Sequence, residues 1–214
     1  MSHFIFLARH GETADNARRV FQGQGGSGLN RLGKAQAARL AERMKRRPPD
    51  VIFASDLERA AETAGFVGRA CGLPVALDRG LREVDVGLWT GKGYDEIKAQ
   101  YPEEWAAWDA GIDVRRGGGE TYAELANRVD DAIANIVAGQ PDGATILLVS
   151  HGGSIKSWIS KLLNVGPEGL RALAGVANTG LTVVERDPRK GHHRLHTWND
   201  VSHLAGLVVD EHSD

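Results

Sequence analysis

Two His-Gly pairs lie far apart in this chain, each closing a short apolar run. Phe4-Ile5-Phe6-Leu7-Ala8 leads into Arg9-His10-Gly11-Glu12-Thr13, and Thr145-Ile146-Leu147-Leu148-Val149-Ser150 leads into His151-Gly152-Gly153. A third polar pair, Arg59 and Thr63, follows the run Val51-Ile52-Phe53-Ala54. Imidazole beside guanidinium suits the transfer of an anionic group. A neutral ring supplies the nucleophile, and arginine forks neutralise charge on phosphoryl oxygens. If the three runs are neighbouring strands, Arg9, His10, Arg59 and His151 meet at one sheet edge and form a positive pocket. The cations there disfavour protonation of His10. A backbone carbonyl on its other nitrogen would set the tautomer, with Gly11 expected to allow the tight turn that this bond needs. A leaving alkoxide also needs a proton. Glu83, preceded by Arg82 and followed by Gly87 and Trp89, is assigned to deliver it, and a bound phosphate dianion should raise its pKa.

The elements that position these residues follow from the hydrophobic pattern. The apolar runs are too short to span a membrane and bulky enough for strands covered on both faces. Leu32, Gln36, Leu40 and Met44, with Ala35 and Ala38 beside them, mark an amphipathic helix capped by Asn30 and stopped by Pro48-Pro49. Ser55-Asp56 is expected to cap a second helix running to Gly72, with Ala60, Ala64, Val67 and Cys71 inward. Pro74 to Leu77 offers another short strand. A long helix is expected to start at Glu120, turn Leu125, Val129, Ile133, Ile136 and Val137 to the core, and end at Gly139. Ile155, Trp158, Ile159 and Leu162 mark one more helix, so Gly152 and Gly153 fall at a strand-to-helix turn whose free N–H groups suit an anion. Gly180–Glu185 and Arg194–Trp198 read as a terminal hairpin around Asp187-Pro188-Arg189-Lys190-Gly191. Alternating strands and helices imply an α/β three-layer α/β/α sandwich with a mostly parallel sheet. The irregular stretch 81–119 reads as a small cap insertion within a single domain, 1–214.

Composition bounds the function. Among 214 residues, 26 are Lys or Arg and 28 are Asp or Glu. No global field therefore favours nucleic acid or an acidic membrane, and any anion preference is local. The single cysteine, Cys71, leaves no internal disulfide and suits a reducing compartment, so cytoplasm is the expected location. Neither a signal peptide nor a membrane anchor is visible.

Arg9-His10-Gly11-Glu12-Thr13 with Asn16, Ser55-Asp56-Leu57-x-Arg59-Ala60-x-x-Thr63-Ala64, Leu81-Arg82-Glu83 and Ser150-His151-Gly152 together resemble the histidine phosphatase superfamily, the phosphoglycerate mutase-like fold. The motifs run in family order over residues 5–153. The resemblance implies a metal-independent phosphomonoesterase without a cofactor that acts on a small phosphorylated substrate. In that scheme His10 becomes the phosphohistidine, Arg9, Arg59 and His151 hold phosphate, and Glu83 is the proton donor. Asn16 and the Gln22-Gly23 backbone are the implied secondary phosphate contacts, beside Gly152. Cofactor-dependent mutases of the family carry an Arg-His-Tyr-Gly-like run after the acidic residue and usually Asn after the second His-Gly. Val84-Asp85-Val86-Gly87 and Gly153 replace these, which favours hydrolysis. A mutase and a non-catalytic phosphate-recognition domain are the rival readings, and monomer and dimer are both open.

Other features have plainer alternatives. Arg115 and Arg116 either bind a second anionic group of the substrate or form a solvated pair. Glu83 can alternatively pair with Arg82 or Arg59. Phe21 to Gly28 satisfies G-x-G-x-x-G but lacks the flanking strand and helix, so it reads as a flexible loop. His192, His193 and His196 on one hairpin strand read as exposed strand residues, not metal ligands. Trp105 and Trp108 either pack the cap or wall the substrate. Asn199-Asp200-x-x-His203 either rims the pocket or caps a turn. Cys71 is expected in the core.

Overall fold

A computed structural model describes residues 1–166, 168–187 and 191–209. Six strands form one sheet: β1 (His3–Arg9), β2 (Val51–Ala54), β3 (Val75–Leu77), β4 (Thr145–Ser150), β5 (Leu181–Asp187) and β6 (His192–Asp200). The order is β3-β2-β4-β1-β5-β6. The first four are mutually parallel, β5 runs antiparallel to β1, and β6 returns antiparallel to β5. The middle of the expected hairpin turn, 188–190, lies outside the described residues.

The short helix α1 (Ala14–Ala17) follows β1, and strand alternation divides the core in two. Phe6 and Ala8 of β1, with Leu147 and Val149 of β4, face α2 (Arg31–Arg46) and α3 (Glu58–Cys71) through Leu40, Met44, Ala60, Ala64 and Val67. Ile5, Leu7, Ile146 and Leu148 face α6 (Tyr122–Ala138) and α7 (Gly152–Leu162) through Leu125, Val129, Ile133, Ile155 and Trp158. The expected three-layer sandwich is therefore present. Between β3 and α6 the chain forms 3₁₀ turns at Arg79–Leu81, Gly87–Trp89 and Arg116–Gly118, together with the short helices α4 (Tyr94–Gln100) and α5 (Pro102–Asp109).

Several local expectations shift. The buried stripe of α2 is Gly33, Gln36, Ala37, Leu40, Ala41 and Met44, while Ala38 is exposed and Leu32 only partly buried. Ser55-Asp56 does not cap α3: Leu57 is the N-cap and makes no side-chain cap bond, because Ser55 faces His151 and Asp56 receives Arg82. Helix α6 begins at Tyr122, with a capping box between Thr121 and Glu124. Glu120 lies outside it and turns to Arg128. Cys71 ends α3 half-buried instead of lying in the core.

Candidate active site

The carboxyl ends of β1, β4 and β2 lie side by side. His10 N–H donates to the Ser150 carbonyl at 3.0 Å, and Ser55 N–H donates to Val149 at 2.9 Å. The His10 and His151 rings stand with centroids 5.2 Å apart, both fully enclosed. Nδ1 of His10 lies 2.7 Å from the Gly11 carbonyl oxygen. Because a carbonyl accepts only, Nδ1 carries the proton and Nε2 keeps its lone pair. Burial first, then the Arg9 and Arg59 charges, holds His10 well below its ordinary 6.5, against the pull of that carbonyl. The ring is therefore neutral near pH 7.

The need for Gly11 differs from the expected tight turn. A Cβ there would run into the Gly33 carbonyl at the start of α2, so packing of the β1 exit under that helix demands glycine. Two further contacts anchor this exit. Gly11 N–H donates to Thr63 Oγ1 at 3.0 Å, and Glu12 N–H donates to the buried Gln36 Oε1 at 2.9 Å. Helices α3 and α2 thus fix the backbone that aims His10.

Arg9 donates from Nη1 to the Val176 carbonyl at 2.7 Å. Arg59, 2% exposed, donates to the Gly25 and Gly23 carbonyls at 2.6 and 2.7 Å. The Gly-rich loop is therefore tied down by Arg59, a correction to its reading as a flexible loop. In each of the two guanidinium groups Nε is buried without a partner, as is Nδ1 of His151. His151 Nε2 lies 2.8 Å from Ser55 Oγ, and its pKa is held well below 6.5 by burial, Arg59, His10 and Arg9. Unmet buried guanidinium donors of this kind are costly, on the order of 1–3 kcal/mol each, and an anion bound there would satisfy them.

Glu83 pairs with neither Arg82 nor Arg59. Arg82 is engaged bidentately by Asp56, at 2.6 Å to each oxygen. The Glu83 carboxylate accepts N–H bonds from Val84 (2.9 Å), Gly153 (3.0 Å) and Ser154 (3.1 Å). The amino end of α7, expected to offer free N–H groups, is thus filled by this carboxylate.

Arg9, His10, Asn16, Gln22, Gly23, Arg59, Glu83, Gly152 and Arg116 line one cavity of about 460 Å³. Asn16 also closes the capping box of Thr13 and accepts from Asn178 at 3.3 Å. Arg116 is 1% exposed, stacks over Tyr122 at 4.0 Å from the ring centroid, and keeps Nε and Nη2 without partners. Arg115 does not reach the cavity. It is exposed and turns outward to Glu124 and the Gly119 carbonyl, so its reading as a substrate contact is corrected. Phe21, Tyr94 and Trp108 supply an aromatic wall, and Trp105 packs behind it against Trp89 and Trp108. Trp108 both packs within the cap and lines the cavity.

Several contributors to the site carry no motif. Lys156 lines the cavity from α7 with its pKa lowered by burial, and no salt bridge to it is found among the described residues. Its signal was the i+4 spacing from Gly152, on the side of α7 away from Ile155 and Trp158. Val176 and Asn178 close the rim through backbone and amide contacts to Arg9 and His10. Asn199 supports that rim, holding Ala177 and Gly175, whereas Asp200 and His203 turn to Arg43. On the hairpin, His196 meets Glu185, and no cluster of three metal-ligating side chains occurs among the described residues.

A doubly covered, mostly parallel sheet with a cationic, histidine-bearing crevice at its carboxyl edge offers the nucleophile and the charge that phosphoryl transfer requires. Residues 5–201 match the model of the histidine phosphatase superfamily (branch 1), and the chain belongs to that superfamily. It is 34% identical to the glucosyl-3-phosphoglycerate phosphatase of Mycobacterium tuberculosis (strain CDC 1551 / Oshkosh), over 96% of this chain and 98% of that one. It is also 33% identical to a probable phosphoglycerate mutase GpmB of Salmonella paratyphi C (strain RKS4594), over 97% of each. The solved mycobacterial glucosyl-3-phosphoglycerate phosphatase in complex with VO3 superposes with a TM-score of 0.84 at 34% identity, covering 92% of this chain and 98% of that one. The chain is a phosphomonoesterase of this superfamily.

Proposed function

We propose that His10 Nε2 attacks the phosphorus of a small phosphomonoester, forming an N–P bond as the ester P–O bond breaks. Glu83 gives its proton to the departing oxygen. Its Oε2 takes one N–H bond, from Gly153, which leaves a lone pair for that proton. Water then attacks the phosphohistidine, Glu83 takes up the water proton, and phosphate leaves with His10 restored. Buried, unpartnered Nε groups on Arg9 and Arg59 beside a neutral His10 are the observation that carries this reading. With Ser55 Oγ donating to Nε2, His151 presents Nδ1–H to the same phosphoryl oxygens.

Arg116 and Lys156 receive a second anionic group of the substrate, a carboxylate, while the aromatic wall covers its carbon body. The buried Arg116, with Nε and Nη2 unpartnered, and the half-buried Lys156, in no salt bridge among the described residues, support this, as does the likeness to proteins named for phosphoglycerate derivatives. The half-buried Cys71 thiol fits a reducing, cytoplasmic setting. Product analysis after turnover of phosphoglycerate esters tests the reaction. Free phosphate supports hydrolysis, and an isomerised phosphoester in its place refutes it.

A further inference from the structure

Glu83 enters the crevice on the stretch from Gly80 to Asp85, and one side chain on its outer side grips that stretch. Arg128 of α6 donates from Nη1 to the Gly80 carbonyl at 2.9 Å and the Arg82 carbonyl at 3.0 Å, and from Nη2 to the Glu83 carbonyl at 3.1 Å. Its Nε and the second Nη2 hydrogen go to the two oxygens of Glu120, both at 2.8 Å. All five N–H donors of a guanidinium are thereby engaged. Glu120 also binds the stretch directly: its Oε2 accepts from Asp85 N–H at 2.9 Å, and its own N–H donates to the Asp85 carbonyl at 2.8 Å.

The Arg82 and Glu83 carbonyls belong to the peptide units on either side of the Glu83 Cα, so fixing both fixes where its side chain leaves the backbone. On the inner side, Ser154 Oγ donates to the Arg82 carbonyl at 2.8 Å and Ser150 Oγ to the Leu81 carbonyl at 2.7 Å. The stretch is held between α6 and α7, and Arg128 is the main hold from α6. It is not among the residues lining the cavity.

We propose that Arg128 is a positioning residue for proton transfer by Glu83: its fork holds the peptide carbonyls flanking Glu83 and so keeps that carboxylate on the Gly153 and Ser154 amides. This rests on the reading of Glu83 as proton donor. Lysine, a point donor, cannot span three carbonyls and a carboxylate. Small misplacements of a catalytic group are expensive in rate.

The test measures kcat/KM of Arg128→Lys, Arg128→Met and Glu83→Gln on an alkyl phosphomonoester and on p-nitrophenyl phosphate, whose leaving group departs without a proton. Both Arg128 variants should lose about 30-fold or more on the alkyl ester and less than about 3-fold on the aryl ester, with Glu83→Gln showing the same selectivity more strongly. Equal losses on both esters, or no loss, in the Arg128 variants while Glu83→Gln remains selective would overturn the role of Arg128 and leave that of Glu83 intact. A non-selective Glu83→Gln overturns both. If Arg128→Met does not fold, Arg128→Lys decides. If neither folds, the residue is structural and the proposal fails.

Discussion

Glu83 and Gly153 occupy each other's space: the Glu83 carboxylate accepts the Gly153 N–H at 3.0 Å, and a Cβ on residue 153 would run into Glu83 Oε1. Glycine at the first turn of α7 therefore admits this carboxylate to the helix amino end, where the dipole favours negative charge. Gly153→Asn should push Glu83 off the α7 amides and lower kcat/KM for alkyl phosphates about 10-fold or more, with a smaller effect on aryl phosphates. Unchanged alkyl kinetics would show that Glu83 acts from elsewhere.

Arg115 and Arg116 are neighbours with opposite fates, and their variants should separate cleanly. Arg116→Met should raise KM for a carboxylated phosphoester about 10- to 100-fold, the worth of one charged hydrogen bond of about 1.5–3 kcal/mol. A phosphoester without a second anion should be nearly unaffected. Arg115→Ala should leave both unchanged, since its contacts are with exposed Glu124 and the Gly119 carbonyl. Steady-state kinetics on the two esters checks the contrast, and equal effects of the two variants would contradict it.

The pH dependence of stability follows from histidines held neutral by the fold. Burial, then the Arg43 charge, lowers His203 from 6.5 to about 4, against the pull of Asp200. His10 and His151 are lowered in the same direction. Over that window the unfolded chain binds more protons than the folded one, so stability rises with pH there. It is full above about 6.5, the unfolded histidine value, and the His203 share is lost as pH falls through about 4. Urea midpoints at pH 7, 6 and 5 should decline in that order, and His203→Asn should flatten the decline. A midpoint that rises on acidification would contradict the assignment.

What the sequence revealed depended on whether the signal was local. Strand ends carry their chemistry next to their apolar runs, so Arg9, His10 and His151 were visible as soon as the runs were recognised as strands, and Arg59 followed from its place near the start of α3. The three-layer fold followed from alternation and from helical stripes. Contacts between distant segments left no such trace. Arg115 and Arg116 are adjacent and identical in type, and only the left-handed turn at Gly117 and the stacking on Tyr122 send one inward. Ser55-Asp56 matched a cap pattern but had tertiary partners in His151 and Arg82, which took precedence over the local bond. Arg128, Val176 and Asn178 act through backbone carbonyls and side-chain amides, and carbonyls are the same at every position of a sequence.

Turnover runs through a covalent bond between His10 and phosphorus, which single turnover of a ³²P-labelled phosphomonoester, stopped with acid or with alkali, detects. Label should stay on the protein in alkali, be lost in acid, map to His10, and be absent from His10→Ala, which should also lose turnover. Undiminished turnover by His10→Ala, or label mapping to another residue, would contradict it.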